Sequence, residues 1–297
     1  ILAQALFSQG PSLHYLHWFH PLWTNQRAMA SGSPDDPDAQ HGFTRPEMFS
    51  EKLAGTWKDR TDVFLFLICG RAEEWPEDIK DLPGDSLLKA LQDALKAAKL
   101  KIKVKVALAE AAGNDKEGDV LVFPGAGRFS ITDDTSKLID ALQGGSDKAW
   151  LPDVEDAHVF VCAHSKRDAR CGHCGPRLFD AIATSESKAE VRKCSHVGGH
   201  AYAGNVLVFQ PGGAGEAGSG DFYGYVTPAA VNDVLSGEAR RGRLWRGGLG
   251  LSRDEVLKAR RAHILLQWVP VAALVVAVGA ASALWWRAAQ VRQKGDF

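Results

Sequence analysis

The sequence predicts an α/β protein made of two similar β-α-β-β-α units followed by a single C-terminal transmembrane helix. Three observations carry this. Two near-identical apolar strands, DVLVFPG from Asp119 and NVLVFQPG from Asn205, close two blocks of alternating strand and helix patterns. A stretch of 23 residues from Ile264 to Trp286 holds no charge. The length, 297 residues, suits two units at roughly 150 residues each.

The elements follow in order. Asp62–Cys69 (DVFLFLIC) reads as a buried strand. Leu82–Lys99 carries a helical stripe of Leu87, Leu88, Leu91 and Leu95, with acid early and lysine late. Lys101–Leu108 (KIKVKVAL) alternates as a half-buried strand does. Asp119–Phe123 is a further strand, and Asp133–Leu142 a short helix. The second block repeats the order. Ala157–Cys162 is a strand, Pro176–Thr184 a helix, and Ala189–Cys194 and Asn205–Phe209 are strands. Phe222–Val226 extends the sheet edge, and Thr227–Leu235 is a helix with Thr as cap and Pro as first residue. Overlaying the VLVF strands sets Leu108 against Cys194, Glu110 against His196 and Asn114 against His200. The FLICG and FVCA runs set Cys69 against Cys162. A tandem duplication of a thioredoxin-like plan is the expectation. It divides the chain into an extension and linker (1–60), a degenerate unit (61–150), a ligand-bearing unit (151–251) and an anchor (252–297).

The anchor reading rests on length and flanks. A 23-residue helix is roughly 34 Å long, enough for a hydrocarbon core of about 30 Å. Trp268 marks one end and Trp285 and Trp286 the other, as in an aromatic belt. Arg240, Arg241, Arg243, Arg246, Arg253, Lys258, Arg260 and Arg261 precede the span; only Arg287, Arg292 and Lys294 follow it. The positive-inside rule puts the large N-terminal part on a cytosol-like side.

The chain starts at Ile1, and residues 1–34 have no acid and one non-histidine base, Arg27. Such a start is compatible with remains of an organelle-targeting region. Within it His14, His17 and His20 recur among aromatics. They read as an amphipathic surface segment more readily than as a metal site, because no acidic or sulfur ligand accompanies them. Ser31–Gly42 reads as a linker.

Composition narrows function. A net charge of −1 gives no basic footprint for nucleic acid. Five cysteines do not suggest a secreted disulfide scaffold. The glycines at Gly125–Gly127 lack the context of a dinucleotide fingerprint. The informative cluster is Cys162-x8-Cys171-x2-Cys174 followed by Cys194-Ser-His196-x3-His200. Thiolates with imidazoles suit zinc, copper or iron–sulfur. Gly198 and Gly199 place the two histidines on a loop rather than one helical face.

The stretches CAHSKRDARCGHCGP and CSHVGGHAYAGNVLVF resemble the two signatures of the sucrase/ferredoxin-like family, over roughly Thr61–Leu251. The resemblance extends to ICGRAEEWPEDI, YGYVTP and LWRGGLGL. It implies a thioredoxin-like ferredoxin whose 2Fe–2S cluster is held by Cys162, Cys171, His196 and His200. A cysteine-rich opening of the first half, common in the family, is absent, which makes the first half structural. The added C-terminal helix implies a membrane-bound partner. The expected role is therefore one-electron transfer, or an accessory redox role, among the subunits of an organelle membrane complex. The protein would be a carrier rather than a catalyst with its own substrate. The mitochondrial inner membrane, matrix side, is the expected location; the stromal side of the thylakoid is the alternative.

Three other readings stay open. Cys171-Gly-His-Cys174 has the form of a thiol–disulfide dithiol. The same Cys and His residues suit a structural zinc site. A structural or assembly subunit without a cluster is the third. His164 and His173 are expected near the site or in solvent, and Cys174 and Cys194 close to it. Asp168 and Arg170 are expected to hold the loop as an ion pair, and Cys69 to be an ordinary buried thiol.

Overall fold

A computed structural model describes residues 36–125, 127–132, 134–144, 157–210 and 218–294, the last seven by backbone alone. The histidines of the N-terminal segment lie outside the described residues. The elements are α1 (Pro37–His41), α2 (Glu47–Ser50), β1 (Val63–Ile68), α3 (Leu87–Ala98), β2 (Val104–Ala109), β3 (Asp119–Phe123), β4 (Gly127–Ser130) and α4 (Thr135–Leu142). There follow β5 (His158–Cys162), α5 (Ala169–Ala183), β6 (Glu190–Cys194), β7 (Val206–Gln210), β8 (Ser219–Tyr223), α6 (Val231–Leu235), β9 (Trp245–Gly248) and α7 (Arg253–Lys294).

The two units are wired alike. In the first, β1 is parallel to β2 and antiparallel to β3, which pairs antiparallel with β4. In the second, β5, β6, β7 and β8 repeat this in the same order. The tandem thioredoxin-like plan holds. The units also share one sheet, ordered β4-β3-β1-β2-β6-β5-β7-β8-β9. They join where Ala109 meets Cys194. There the Glu110 N–H donates to the Lys193 carbonyl (3.0 Å) and the Ser195 N–H to that of Leu108 (2.9 Å).

The sheet folds back on itself at this junction. Three strand spacings, about 14 Å, separate β1 from β5 along it. Yet Phe66 on β1 and Phe160 on β5 stack with ring centroids 3.5 Å apart. Alternation along each strand sends one set of side chains inward and the other outward. The inward set (Phe64, Phe66, Leu121, Phe123, Phe160, Leu207 and Phe209 among them) forms one core between the half-sheets. The outward Leu65 and Leu67 pack under α3 and α4, and Val159 and Val161 under α5 and α6. The result is four layers, α-β-β-α, whose central layer pair is shared.

The common register corrects the sequence overlay by one residue. Phe66 faces Leu121 and Phe160 faces Leu207, so Ile68, not Cys69, is the counterpart of Cys162. The counterpart of Cys194 is Ala109, not Leu108. The loop from β2 to β3 is one residue shorter than that from β6 to β7, and equal spacing had hidden this.

Other elements shift for local reasons. α3 starts at Leu87, five residues later than expected, where the Ser86 hydroxyl caps the Lys89 N–H. α5 starts at Ala169, seven residues earlier than expected, because Asp168 caps it by accepting from the Arg170 N–H. Pro176 then sits inside the helix at the loss of one backbone bond. β4 and β9 are additional strands, and β8 ends at Tyr223 rather than Val226. The expected linker is packed from Asp36 onward. α1 lies on α5, with the Asp38 carboxylate accepting from Arg177 Nη1 at 2.9 Å. Met48, Leu53 and Trp57 are buried beyond it. α7 is long and apolar enough to cross a membrane, and its apolar stretch is wholly exposed.

Candidate metal centre

The site forms where β5 ends and α5 begins. Cys162 is the last residue of β5 and points into the shared core. Cys171 lies in the first turn of α5 and is fully buried. Two glycines permit the close approach. A Cβ on Gly175 would lie 2.5 Å from the Cys162 carbonyl oxygen, and one on Gly172 would lie 2.5 Å from Ser165 Cβ. Asp168 and Arg170 form the expected ion pair beside the helix start (3.0 Å).

The histidines come from the loop after β6. The Cys162 and Cys171 thiols and a ring nitrogen of His196 lie within 4.8 Å of one another. His200 is outside that group. Its ring is exposed, with its centroid 5.4 Å from that of His196. The donors therefore grade from a buried thiol pair, through His196, to a solvent-facing imidazole. The loop needs its glycines. Gly198 and Gly199 have φ of +95° and +73°, the left-handed region that disfavours side chains. A Cβ on Gly199 would meet the Arg246 guanidinium at 2.2 Å.

The donor set fits a metal group. His196 Nδ1 is buried and accepts or donates no hydrogen bond among the described residues, an arrangement that costs free energy unless something binds it. The two thiols beside it are free. Cys162 is held well below the usual thiol pKa, first by the hydrogen bond from Cys171 and then by His196, against the cost of burial. The same hydrogen bond, with burial, drives Cys171 upward. Within this pair the thiolate form is thus favoured at Cys162.

Neighbouring residues hold this arrangement. His164 is buried, accepts from the His196 N–H at its Nδ1 (3.2 Å), and meets the Pro76 carbonyl at Nε2 (2.7 Å). This network assigns its proton to Nε2 and ties the ligand loop to the first unit. Lys105 of β2 donates to the Val197 carbonyl (2.6 Å). Arg246 of β9 donates to Asn205 Oδ1 (2.6 Å) and the Gly198 carbonyl (3.2 Å). Lys105 and Arg246 also flank the Trp57 ring at 4.2 and 5.3 Å. Sequence reasoning missed Trp57, Lys105 and Arg246. Their only trace was the LWRGGLGL motif and a lysine on an alternating strand.

The other thiols lie outside the donor group. Cys174 donates to the His41 carbonyl (3.3 Å) and lies 3.8 Å from Arg45 Nη1. Burial pushes its pKa up to about 11 despite Arg45. Cys194 sits beside Cys162 in register and is also raised by burial. His173 faces Asp38 rather than the site (3.1 Å). Cys69, half-buried, is pushed up to about 12 by burial and Glu117.

The sucrase/ferredoxin-like family model matches residues 53–248. The chain belongs to the sucrase/ferredoxin-like family. This sucrase/ferredoxin-like chain is similar to proteins called Altered inheritance of mitochondria protein 32. The one from Candida glabrata is 38% identical over 107 residues, 32% of this chain and 34% of the relative. The one from Meyerozyma guilliermondii is 38% identical over 100 residues, with 32% and 34% covered. The one from Saccharomyces cerevisiae strain YJM789 is 42% identical over 53 residues, 17% of each. The chain thus spans about a third, or less, of the length of these curated relatives. Their names point to a mitochondrial link. No solved structure matches the chain.

Proposed function

We propose that the protein is a membrane-anchored one-electron carrier, or accessory redox subunit, of a mitochondrial inner-membrane complex. In this reading a 2Fe–2S cluster is held by Cys162, Cys171, His196 and His200. The observation that carries it is the convergence of two buried thiols on a buried imidazole nitrogen without a partner, beneath an exposed second imidazole. When bound, such a cluster exchanges one electron, and histidine ligands raise its potential relative to an all-cysteine set.

The chain's own residues divide the remaining work. Cys162 and Cys171 anchor the buried end, and the Phe66–Phe160 core behind them excludes water. His196 and His200 form the solvent end, so the His200 edge is the nearest approach for a redox partner. His164 and Lys105 fix the loop backbone. The basic run before Ile264 supports matrix-side placement of the folded units. The uncovered α7 supports a partner within the bilayer.

Zinc is the second reading, because three donors within 4.8 Å also suit a compact tetrahedral ion. Iron, zinc and sulfide analysis of the membrane-extracted protein, with visible and EPR spectra, separates the two. Iron with inorganic sulfide and a chromophore that bleaches on reduction is expected. A colourless protein with stoichiometric zinc overturns the carrier.

A further inference from the structure

We propose that a basic collar at the foot of α7 binds the phosphate-bearing headgroups of anionic phospholipids. The inference rests on the reading of Ile264–Trp286 as a membrane span.

The loop after α6 folds up against α7. Arg260 Nη1 donates to the Arg241 carbonyl (2.6 Å), which sets Arg241 level with the helix turn at Arg260. Arg260 lies four residues before Ile264, about 6 Å along the axis. The headgroup layer is about 5–8 Å deep on each side of the hydrocarbon core. Arg241, Arg260 and Arg261 therefore fall within it, and Lys258, about 9 Å away, lies at its edge.

The charges are available. Arg241, Lys258 and Arg261 are exposed. Their side chains make no hydrogen bond or ion pair among the described residues, whereas nearby Arg240 is committed to Asp221 (3.0 Å). No acid interrupts the collar: 239–246 and 256–287 contain no Asp or Glu. Asp254 and Glu255 lie about one turn before Lys258 and about two before Arg261, and Glu255 is occupied in capping Ser252. A one-sided, unpaired cationic ring directly beneath an exposed apolar helix matches an anionic leaflet in both charge and depth.

The test uses the full chain in bilayers of equal phosphatidylcholine and phosphatidylglycerol. Lipids retained after mild extraction are counted by native mass spectrometry. The ratio of retained phosphatidylglycerol to phosphatidylcholine is expected to rise over the bulk ratio by about fivefold per engaged side chain, falling with salt. Arg241→Gln with Arg261→Gln is expected to bring the ratio close to bulk. Alkaline carbonate extraction reports the span separately. Release by carbonate overturns the span and the collar with it. Retention with a bulk lipid ratio overturns the collar alone. Loss of enrichment on adding millimolar inorganic phosphate at constant ionic strength shows a site for free phosphate instead, and also overturns it.

Discussion

Phe66 and Phe160 stack face to face at the centre of the molecule, their planes within 3°, and they occupy the same position in the two units. Phe123 and Phe209 are likewise counterparts and stack at 4.3 Å. A pseudo-two-fold relation therefore runs between the half-sheets, and each unit covers the other's inner face. This explains a first unit with Ile68 where the second has Cys162. It needs no ligands to serve the site, since it seals the core behind Cys162, supplies the Pro76 carbonyl to His164 and supplies Lys105 to the loop after β6.

Removing either central ring leaves a cavity that two β-layers cannot readily collapse. Phe66→Ala and Phe160→Ala are each expected to destabilise the protein by about 3–5 kcal/mol. The double variant should lose less than the sum, because the rings share one contact. Thermal unfolding of the membrane-extracted protein by near-ultraviolet circular dichroism measures this. Strict additivity would contradict a shared core.

His158 makes stability depend on acid. Its side chain is buried against Arg192 Nη1 (3.1 Å). Burial, and then the Arg192 charge, lower its pKa to about 4, with Glu190 opposing. The unfolded chain binds this proton near pH 6.5 and the folded chain only near 4. The unfolded state thus holds more protons between these values, and stability present above 6.5 is lost as pH falls through them. The loss amounts to roughly 3 kcal/mol. His158→Gln keeps an acceptor for Arg192 and does not titrate, so unfolding midpoints across pH 4–7 should fall less steeply for the variant. Parallel curves would show that other groups govern acid sensitivity.

Strand patterns and motif spacing were legible because period-two alternation and glycine-bounded ligand loops are local. Asp119–Phe123 keeps its expected bounds, and three of the four expected ligands converge in space. The face-to-face packing was not legible. Each strand's inward phenylalanines look the same whether they bury against their own helix or another sheet. The start of α5 was misjudged because Gly172, Gly175 and Pro176 disfavour helix locally, while the Asp168 cap and packing on β5 override them. The slip that paired Cys69 with Cys162 came from matching cysteine to cysteine in FLICG and FVCA, whereas the slip that paired Leu108 with Cys194 came from a loop-length difference that neither motif records. Lys105 and Arg246 reach the ligand loop from strands 91 and 50 positions away from His196, a distance that spacing rules do not cover.

The two helix cysteines should separate cleanly by substitution. Cys171 shares the donor group with Cys162 and His196, whereas Cys174 turns to the His41 carbonyl. Cys171→Ser is expected to abolish bound metal. Cys174→Ser should retain it with a stability loss on the order of 1 kcal/mol. Metal-to-protein ratios read both. Metal loss in Cys174→Ser with retention in Cys171→Ser would reverse the ligand assignment.

In the proposed carrier reading, the charge around the site sets its redox preference. Arg246 is nearly fully buried and makes no ion pair among the described residues; its partners are Thr56, Asn205 and carbonyls. Burial lowers its pKa to about 10, although the Cys162 and Cys171 thiols pull the other way. Lys105, half-buried on the other side of Trp57, is lowered to about 8 by burial and by Arg246. Neither cation forms an ion pair among the described residues, although Asp59 acts on Lys105 from further off, and both favour whichever state of the site is more negative. A site that accepts an electron gains one negative charge, so both residues should stabilise its reduced form. Arg246→Gln keeps hydrogen-bonding capacity toward Asn205 and Gly198 while deleting the charge. It should lower the midpoint potential on the order of 50 mV, and Lys105→Met should lower it less because solvent screens it. Potentiometry with unchanged iron content is the decisive readout. An unmoved or raised potential in Arg246→Gln would mean that the guanidinium only holds the loop.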